Sequence, residues 1–295
     1  MKLVITANVD KQEVIDFLPE VFAHLKKSGV EFFVEEELAQ QLSLGNDTSR
    51  LHPDKFRDQA DLVLSFGGDG TILSTARKVG RSGLPILGVK MGGLGFLAEL
   101  SPDDLFESLP DILNGRYDVV ERMVLTASIE GENATFAALN DVVIDKGSGA
   151  NVIRVKTFID EAFLNTYTGD GLIFSTPTGS TAYSLAAGGP ILVPSMDAVI
   201  INPINPHSLG ARPVVIPADH SIKVTVEYAP QKVYLSADGQ MARELRPGVA
   251  ATIRKADYRI RLVSYRHRSF YDVLRAKLYW GEDARQGTHD RSSQS

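Results

Sequence analysis

Residues 61–75 read DLVLSFGGDGTILST, an apolar run that ends in two glycines, an aspartate and a third glycine. A strand, a tight glycine turn and a helix start together aim free backbone N–H groups at a phosphate. Gly67, Gly68 and Gly70 give the backbone room for a ligand to approach closely, and Thr71 is the expected N-cap of the following helix. These four residues are the expected phosphate-binding set. None of this requires Asp69, because a carboxylate beside a phosphate repels it. Asp69 therefore points either to a cation held indirectly or to a general base acting on a hydroxyl that attacks a phosphoryl group. Asp-Gly alone is common turn chemistry; GGDGT at a strand–helix junction says more.

Three further stretches carry polar residues in patterned settings. Residues 88–97 (GVKMGGLGFL) follow an apolar run, and Gly93 to Ala98 match the dinucleotide fingerprint G-x-G-x-x-A. That fingerprint belongs on the first strand of its unit, and this one comes after about four elements, so the match is discounted. Residues 139–144 (LNDVVI) set Asn140 beside Asp141; an adjacent amide and acid can bracket the two hydroxyls of a ribose. Residues 170–190 (DGLIFSTPTGSTAYSLAAGGP) crowd small hydroxylated residues around Tyr183. They read as a surface loop whose amides, with Thr178, Ser180 and Thr181, bond a polar ligand, while Tyr183 offers a face to a base.

The elements that must hold these residues fall into two styles that meet near residue 120. Before it, short apolar runs at 3–6, 30–34, 61–66 and 85–89 alternate with helical periodicity at 12–28, 71–79 and 102–113, which predicts a mostly parallel sheet with helices on its faces. After it, residues 152–160, 221–227, 231–236 and 250–263 alternate apolar and polar or are rich in β-branched and aromatic residues, which predicts antiparallel β. Residues 270–280 read as an amphipathic helix. The expected fold class is α/β plus all-β: a Rossmann-like α/β domain, a mainly antiparallel β-sandwich domain, and a C-terminal helix returning to the first. The expected divisions are 1–120, 121–268 and 269–285, with a disordered tail at 286–295.

The 295 residues are 43% hydrophobic and 23% charged, with formal net charge −6, a globular profile with no broad basic face for nucleic acid. The chain has no cysteine, which excludes disulfides and thiolate metal sites. No apolar run approaches the roughly 18 residues of a membrane span. These totals predict a cytoplasmic protein without nucleic-acid or membrane partners. The six histidines form no zinc spacing. Lys146, Arg154, Lys156 and Arg261 read as solvated strand faces.

LSFGGDGTIL resembles the signature shared by NAD kinases, diacylglycerol and sphingosine kinases and 6-phosphofructokinases, which lack a Walker lysine; no G-x-x-x-x-G-K-[ST] occurs in this chain. GxxxGxLGFL, the Asn-Asp pair and above all STPTGSTAYSL with GGP narrow the likeness to NAD kinases, over residues 60–280. The resemblance implies phosphoryl transfer from ATP or polyphosphate to the adenosine-ribose 2′-hydroxyl of NAD, with Mg²⁺ or another divalent cation accompanying ATP. It implies Asp69 as the base with Gly70 beside it, Asn140 and Asp141 on ribose hydroxyls, and Asp170 on a base or amide edge. It also implies Thr181, Ala182, Tyr183, Ser184, Leu185 and Ala186 along the dinucleotide, further contacts at Asn151 and Gln240, and a homo-oligomer, a tetramer or dimer. Lys90 stands where relatives often carry asparagine, and Thr168 where many carry arginine or lysine. A lipid or sugar kinase, a nicotinamide-dependent oxidoreductase and a non-catalytic NAD sensor are the rival readings.

Overall fold

The computed structural model describes residues 1–45, 47–93, 95–240, 242–265 and 269–280. The expected tail at 286–295 and the end of the 269–285 segment lie outside the described residues.

The first part alternates strand and helix: β1 (Leu3–Ala7), α1 (Gln12–Lys27), β2 (Phe32–Glu35), α2 (Glu36–Gln41), β3 (Arg50–Leu51), α3 (Phe56–Gln59), β4 (Leu62–Gly67), α4 (Asp69–Val79), β5 (Pro85–Lys90) and α5 (Pro102–Leu113). Its strands lie in the order β3-β2-β1-β4-β5, all parallel. In α1 the apolar residues Val14, Leu18, Val21 and Leu25 recur at helical spacing and are all buried against this sheet. The chain order reverses between β1 and β4, and open α/β sheets bind ligands outside the carboxyl ends of their strands at such a switch point. GGDG follows β4 at that point.

The second part is β6 (Asp118–Ile129), β7 (Thr135–Ala138), β8 (Asp141–Asp145), β9 (Ile153–Ile159), β10 (Ala162–Gly169), β11 (Gly171–Ser175), α6 (Tyr183–Ala186), β12 (Ala198–Ile204), β13 (Val214–Pro217), β14 (Ile222–Tyr228), β15 (Tyr234–Ala237), β16 (Arg243–Glu244) and β17 (Ala250–Ser264), then α7 (Phe270–Leu278). A six-stranded antiparallel sheet runs β13-β12-β11-β8-β15-β16. It faces the antiparallel strands β9, β14, β17 and β6. Alternate residues such as Leu125, Val155, Val224 and Ile253 on one side meet Val142, Ile144, Phe174 and Leu235 on the other in one buried core.

β17 joins the two styles. Its first residues pair antiparallel with β14, and Arg261 and Leu262 pair parallel with Pro85 and Ile86 of β5, while β6 lines its other edge. Parallel and antiparallel strands therefore form one 11-stranded sheet. α7 reaches back across it: the Phe270 ring lies 6.5 Å from Phe96 in the second glycine-rich loop.

The structure corrects three local readings. Helix α4 starts at Asp69, so the N-cap is Gly68 and Thr71 is the third helical residue, its hydroxyl accepting from the Gly68 N–H at 3.2 Å. The expected surface loop is surface only in part: residues 176–180 are buried, while Tyr183, Ala186, Gly188 and Pro190 are exposed. The Ser180 hydroxyl donates to the Pro177 carbonyl at 2.6 Å and accepts from Leu192 N–H at 3.0 Å. Lys146 and Arg261 are not solvated faces: Lys146 pairs with Asp170 at 2.7 Å, and Arg261 donates to the Gly83 carbonyl at 3.0 Å.

Candidate functional site

Gly67 closes β4 in register with Lys90 at the end of β5. A Cβ on Gly67 would fall 2.1 Å from the Thr71 hydroxyl, so only glycine lets the turn fold this tightly. Asp69 is half-buried at the first helical position. Its Oδ2 accepts from Phe96 N–H at 2.9 Å and its Oδ1 from Leu97 N–H at 3.3 Å. The second glycine-rich loop thus serves as a clamp for the carboxylate of the first. Backbone donors fix the side chain from one side, and each oxygen keeps a further lone pair. The amides of Asp69 and Gly70, in the first turn of α4, have no acceptor inside the helix.

Lys90 enters the sequence reading only as a departure from the expected asparagine. Its ammonium faces Asp69, Lys277 and Lys11; burial, chiefly, pulls its pKa down, with Asp69 opposing and the two lysines assisting.

Asn140 and Asp141 open β8 and are held by a residue that sequence reading passed over. The Asp238 carboxylate accepts from the backbone N–H groups of Leu139, Asn140 and Asp141 at 2.9, 2.8 and 3.3 Å. Asp141 is 5% exposed, and burial together with the neighbouring Asp238 pushes its pKa up to about 7. Burial raises the Asp238 pKa as well, but three amides and Arg77 oppose it there. Asp141 has burial and the Asp238 charge acting together, so it is the member of the pair that holds a proton more tightly. A signal existed in SADGQ, whose Asp-Gly turn places Asp238 at φ +51; its partners, about a hundred residues away, left no local trace.

Gly179 packs on the same strand end. A Cβ there would lie 2.2 Å from the Asn140 carbonyl oxygen. That contact sets the Thr181–Ala186 turn over Asn140, and a groove opens between Asn140, Asp141, Asp145, Ala182, Tyr183 and Asp238. Tyr183 is 46% exposed at its rim. Burial and then Asp145, Asp170 and Asp141 raise its pKa, so the groove is acidic. Asp170 lies nearby, ion-paired with Lys146 and accepting from Asn205 Nδ2 at 2.9 Å; the Asn205 bond and the lysine hold its carboxyl below the usual range.

A second cavity, of about 250 Å³, lies beyond the clamp and is lined by Phe96, Leu97, Arg122, Thr178, Thr181 and Phe270 among others. The Arg122 Nε is buried there without a hydrogen-bond partner among the described residues. Thr181 stands between this cavity and the groove.

The remaining expected residues divide. Ser184 is fully buried, and its hydroxyl accepts from Asn202 Nδ2 at 3.3 Å, so it ties down the turn. Leu185 is half-buried and Ala186 exposed on α6. Gln240 accepts from Arg77 of α4 at 2.8 Å, which links the Asp238 hairpin to the helix that carries Asp69. Asn151 is exposed outside both cavities, its carbonyl accepting from Gln231 at 2.6 Å. Among the described residues no three acidic or histidine side chains converge as a metal site, and no helix is long and apolar enough to cross a membrane.

A family model described as the ATP-NAD kinase N-terminal domain matches residues 3–117, and one for the ATP-NAD kinase C-terminal domain matches residues 139–265. A protein named NAD kinase from Geobacter sulfurreducens is 43% identical over 284 residues, covering 95% of this chain and 99% of that protein. The NAD kinase of Geotalea daltonii is 41% identical with the same coverage. Among solved structures, yeast NADH kinase complexed with NADH superposes with a TM-score of 0.86 at 25% identity, over 96% of this chain and 88% of that one. An NAD kinase from Archaeoglobus fulgidus in complex with ATP gives 0.74 at 25% identity, over 95% and 99%.

Proposed function

The chain belongs to the NAD kinase family, and from that premise we propose that Asp69 is the general base of a phosphoryl transfer from ATP to the adenosine-ribose 2′-hydroxyl of NAD. The observation that carries this reading is the clamp on Asp69. Two backbone donors fix a carboxylate beside free helix-start amides, at the switch point of a parallel sheet.

In this reading residues 1–120 supply the donor side and 121–268 the dinucleotide side. The donor phosphates lie against Gly67, Gly68, Gly70 and Thr71. Asn140 and Asp141 take the ribose hydroxyls, and Asp238 positions both through their backbone. The purine enters the cavity beyond Phe96, which must adjoin the ribose because the base is bonded one carbon from the 2′-hydroxyl. The rest of the dinucleotide follows the groove past Thr181, Ala182 and Tyr183 toward Asp170. Ser184, Leu185, Ala186 and Gln240 support that path from its edges, and Asn151, outside both cavities, is not on it.

The 2′-oxygen bonds to phosphorus as the bridging P–O bond of the donor breaks, the hydroxyl proton passes to Asp69, and ADP leaves. The transition state is loose, so positioning and fixed dipoles contribute most of the rate. Mg²⁺ or another divalent cation supplies charge neutralisation when bound. With no carboxylate cluster among the described residues, it enters on the phosphates of ATP. Polyphosphate offers the same chain of anionic oxygens and is a second candidate donor. A homo-oligomer, a tetramer or dimer, belongs to the proposal, supported by Leu209, 94% exposed, as does the cytoplasm, supported by the absence of cysteine.

Purified protein with Mg-ATP and NAD, its product read by an NADP-specific dehydrogenase, tests the reaction, with each component omitted in turn. NADP formation that needs both substrates is the expected result. Phosphorylation of a lipid or sugar without NAD, or an absorbance change without ATP, would contradict it.

A further inference from the structure

Three ammonium groups converge on the glycine turn from three elements far apart in sequence. Lys11, at the start of α1, donates to the Met91 carbonyl at 3.3 Å, and its Nζ lies 3.9 Å from where a Cβ on Gly68 would stand. Lys90 ends β5 directly beside Gly67. Its Nζ lies 2.8 Å from the Cβ position of Gly95, and the Asp69 Oδ1 lies 2.1 Å from the same point. Lys277, in the last turn of α7, holds its Nζ 5.2 Å from the centre of the Phe96 ring, whose residue donates its amide to Asp69.

None of the three lysines forms an ion pair among the described residues. The electrostatic neighbours of Lys90 are Asp69, Lys277 and Lys11. Three cations thus face one carboxylate whose oxygens already accept two amides. Such an excess, in a chain of net charge −6, calls for a polyanion. A compact ammonium is suited to phosphate oxygens.

We propose that Lys90 is a catalytic residue of the transfer, its ammonium contacting the transferring phosphoryl group while Lys11 and Lys277 hold the rest of the phosphate chain. The assignment rests on Asp69 as the base. A phosphorus under attack by a hydroxyl bound to Asp69 must lie within about 3.5 Å of that oxygen. An ammonium that shares the space above Gly95 with Asp69 reaches the same phosphoryl oxygens. Lys90 moves no proton. It remains an ammonium while the 2′-oxygen–phosphorus bond forms and the bridging bond breaks, and it stabilises charge on the non-bridging oxygens.

The test compares Lys90→Met, Lys90→Arg and Lys11→Met in steady-state kinetics with Mg-ATP and NAD, read as ADP release so that inorganic tripolyphosphate counts as a competitor of ATP whether or not it is itself a donor. Lys90→Met lowers kcat about 10²-fold, with the KM for NAD within about threefold and the melting midpoint retained. Lys90→Arg recovers at least about tenfold of that loss, since it restores the charge but not the compact shape. Lys11→Met raises the KM for Mg-ATP and the Ki of tripolyphosphate together and spares kcat. An unchanged kcat in Lys90→Met, a loss confined to the KM for NAD, or a loss that arginine does not recover would overturn the assignment. Turnover retained by Asp69→Asn would remove the base whatever Lys90 does. An inactive Asp69→Asn beside an indifferent Lys90→Met would remove the lysine's role and leave the base in place.

Discussion

Asp141 and Asp238 face each other across the start of β8, and among the described residues only Asp238 is supplied with backbone donors. A pKa near 7 for Asp141, above the usual carboxylate value, means that the folded protein holds this proton more tightly than the unfolded chain does. Between about pH 4 and pH 7 the native state therefore binds the extra proton, and stability falls as pH rises through that window. Urea midpoints of Asp141→Asn should show a smaller decline, the remainder belonging to Asp238, whose pKa burial also raises, so the variant gains on the parent between pH 5 and pH 8. A parallel decline in both proteins would place the proton elsewhere. Ionised Asp141 is the better acceptor for ribose hydroxyls, and affinity for NAD should rise over the same interval. The residue types of this pair were half legible. Asn140 and Asp141 stood out as neighbours, but Asp238 was hidden because its three hydrogen bonds span about a hundred residues.

At the scale of elements, two glycine loops make one device: the turn after β4 presents Asp69, and the loop after β5 clamps it. Gly95 shows how close they are, since a Cβ there would lie 2.1 Å from the Asp69 Oδ1 and 2.8 Å from its Cγ. The obstacles are two side-chain ends, the Lys90 ammonium and the Asp69 carboxylate, and the carboxylate yields only by giving up the Phe96 and Leu97 amides. Gly95→Ala should therefore cost about 1–3 kcal/mol of stability and lower kcat by about tenfold or more through misplacement of the Asp69 carboxylate. A change in stability without a change in kcat would show that the clamp does not orient Asp69. Local glycine patterns made both loops legible, because strand, turn and helix signals are short-range. In the hydroxyl-rich stretch 170–190 the exposed part around Tyr183 is legible, but residues 176–180 mislead for the opposite reason. Its composition reads as surface, but Thr176 and Ser180 spend their hydroxyls on Leu139, Pro177 and Leu192 and are buried.

At the scale of the molecule, the change of texture near residue 120 gives the class of each half, while the joint between them has no local signature. β17 reads as one alternating strand, and nothing in residues 250–263 shows that Arg261 and Leu262 pair with β5. That pairing, with β6 running beside it for most of its length, makes the parallel and antiparallel parts one sheet. Elements shared this way unfold together, so calorimetry should give a single transition with a van't Hoff enthalpy close to the calorimetric one. Two resolved transitions would mean that the shared strand does not couple the halves. The net charge of −6 was a poor guide at this scale, because it averages away the three lysines that the fold gathers at the glycine turn.

If the Asp69 carboxylate takes the proton of the attacking hydroxyl, Asp69→Asn, whose amide keeps the shape and cannot accept that proton, should bind NAD without turning it over. Calorimetric titration of the variant with NAD should give an affinity within about threefold of the parent. NADP formation with Mg-ATP should fall by about 10²–10⁴-fold. Turnover close to the parent value with NAD bound normally would show that Asp69 is not the base.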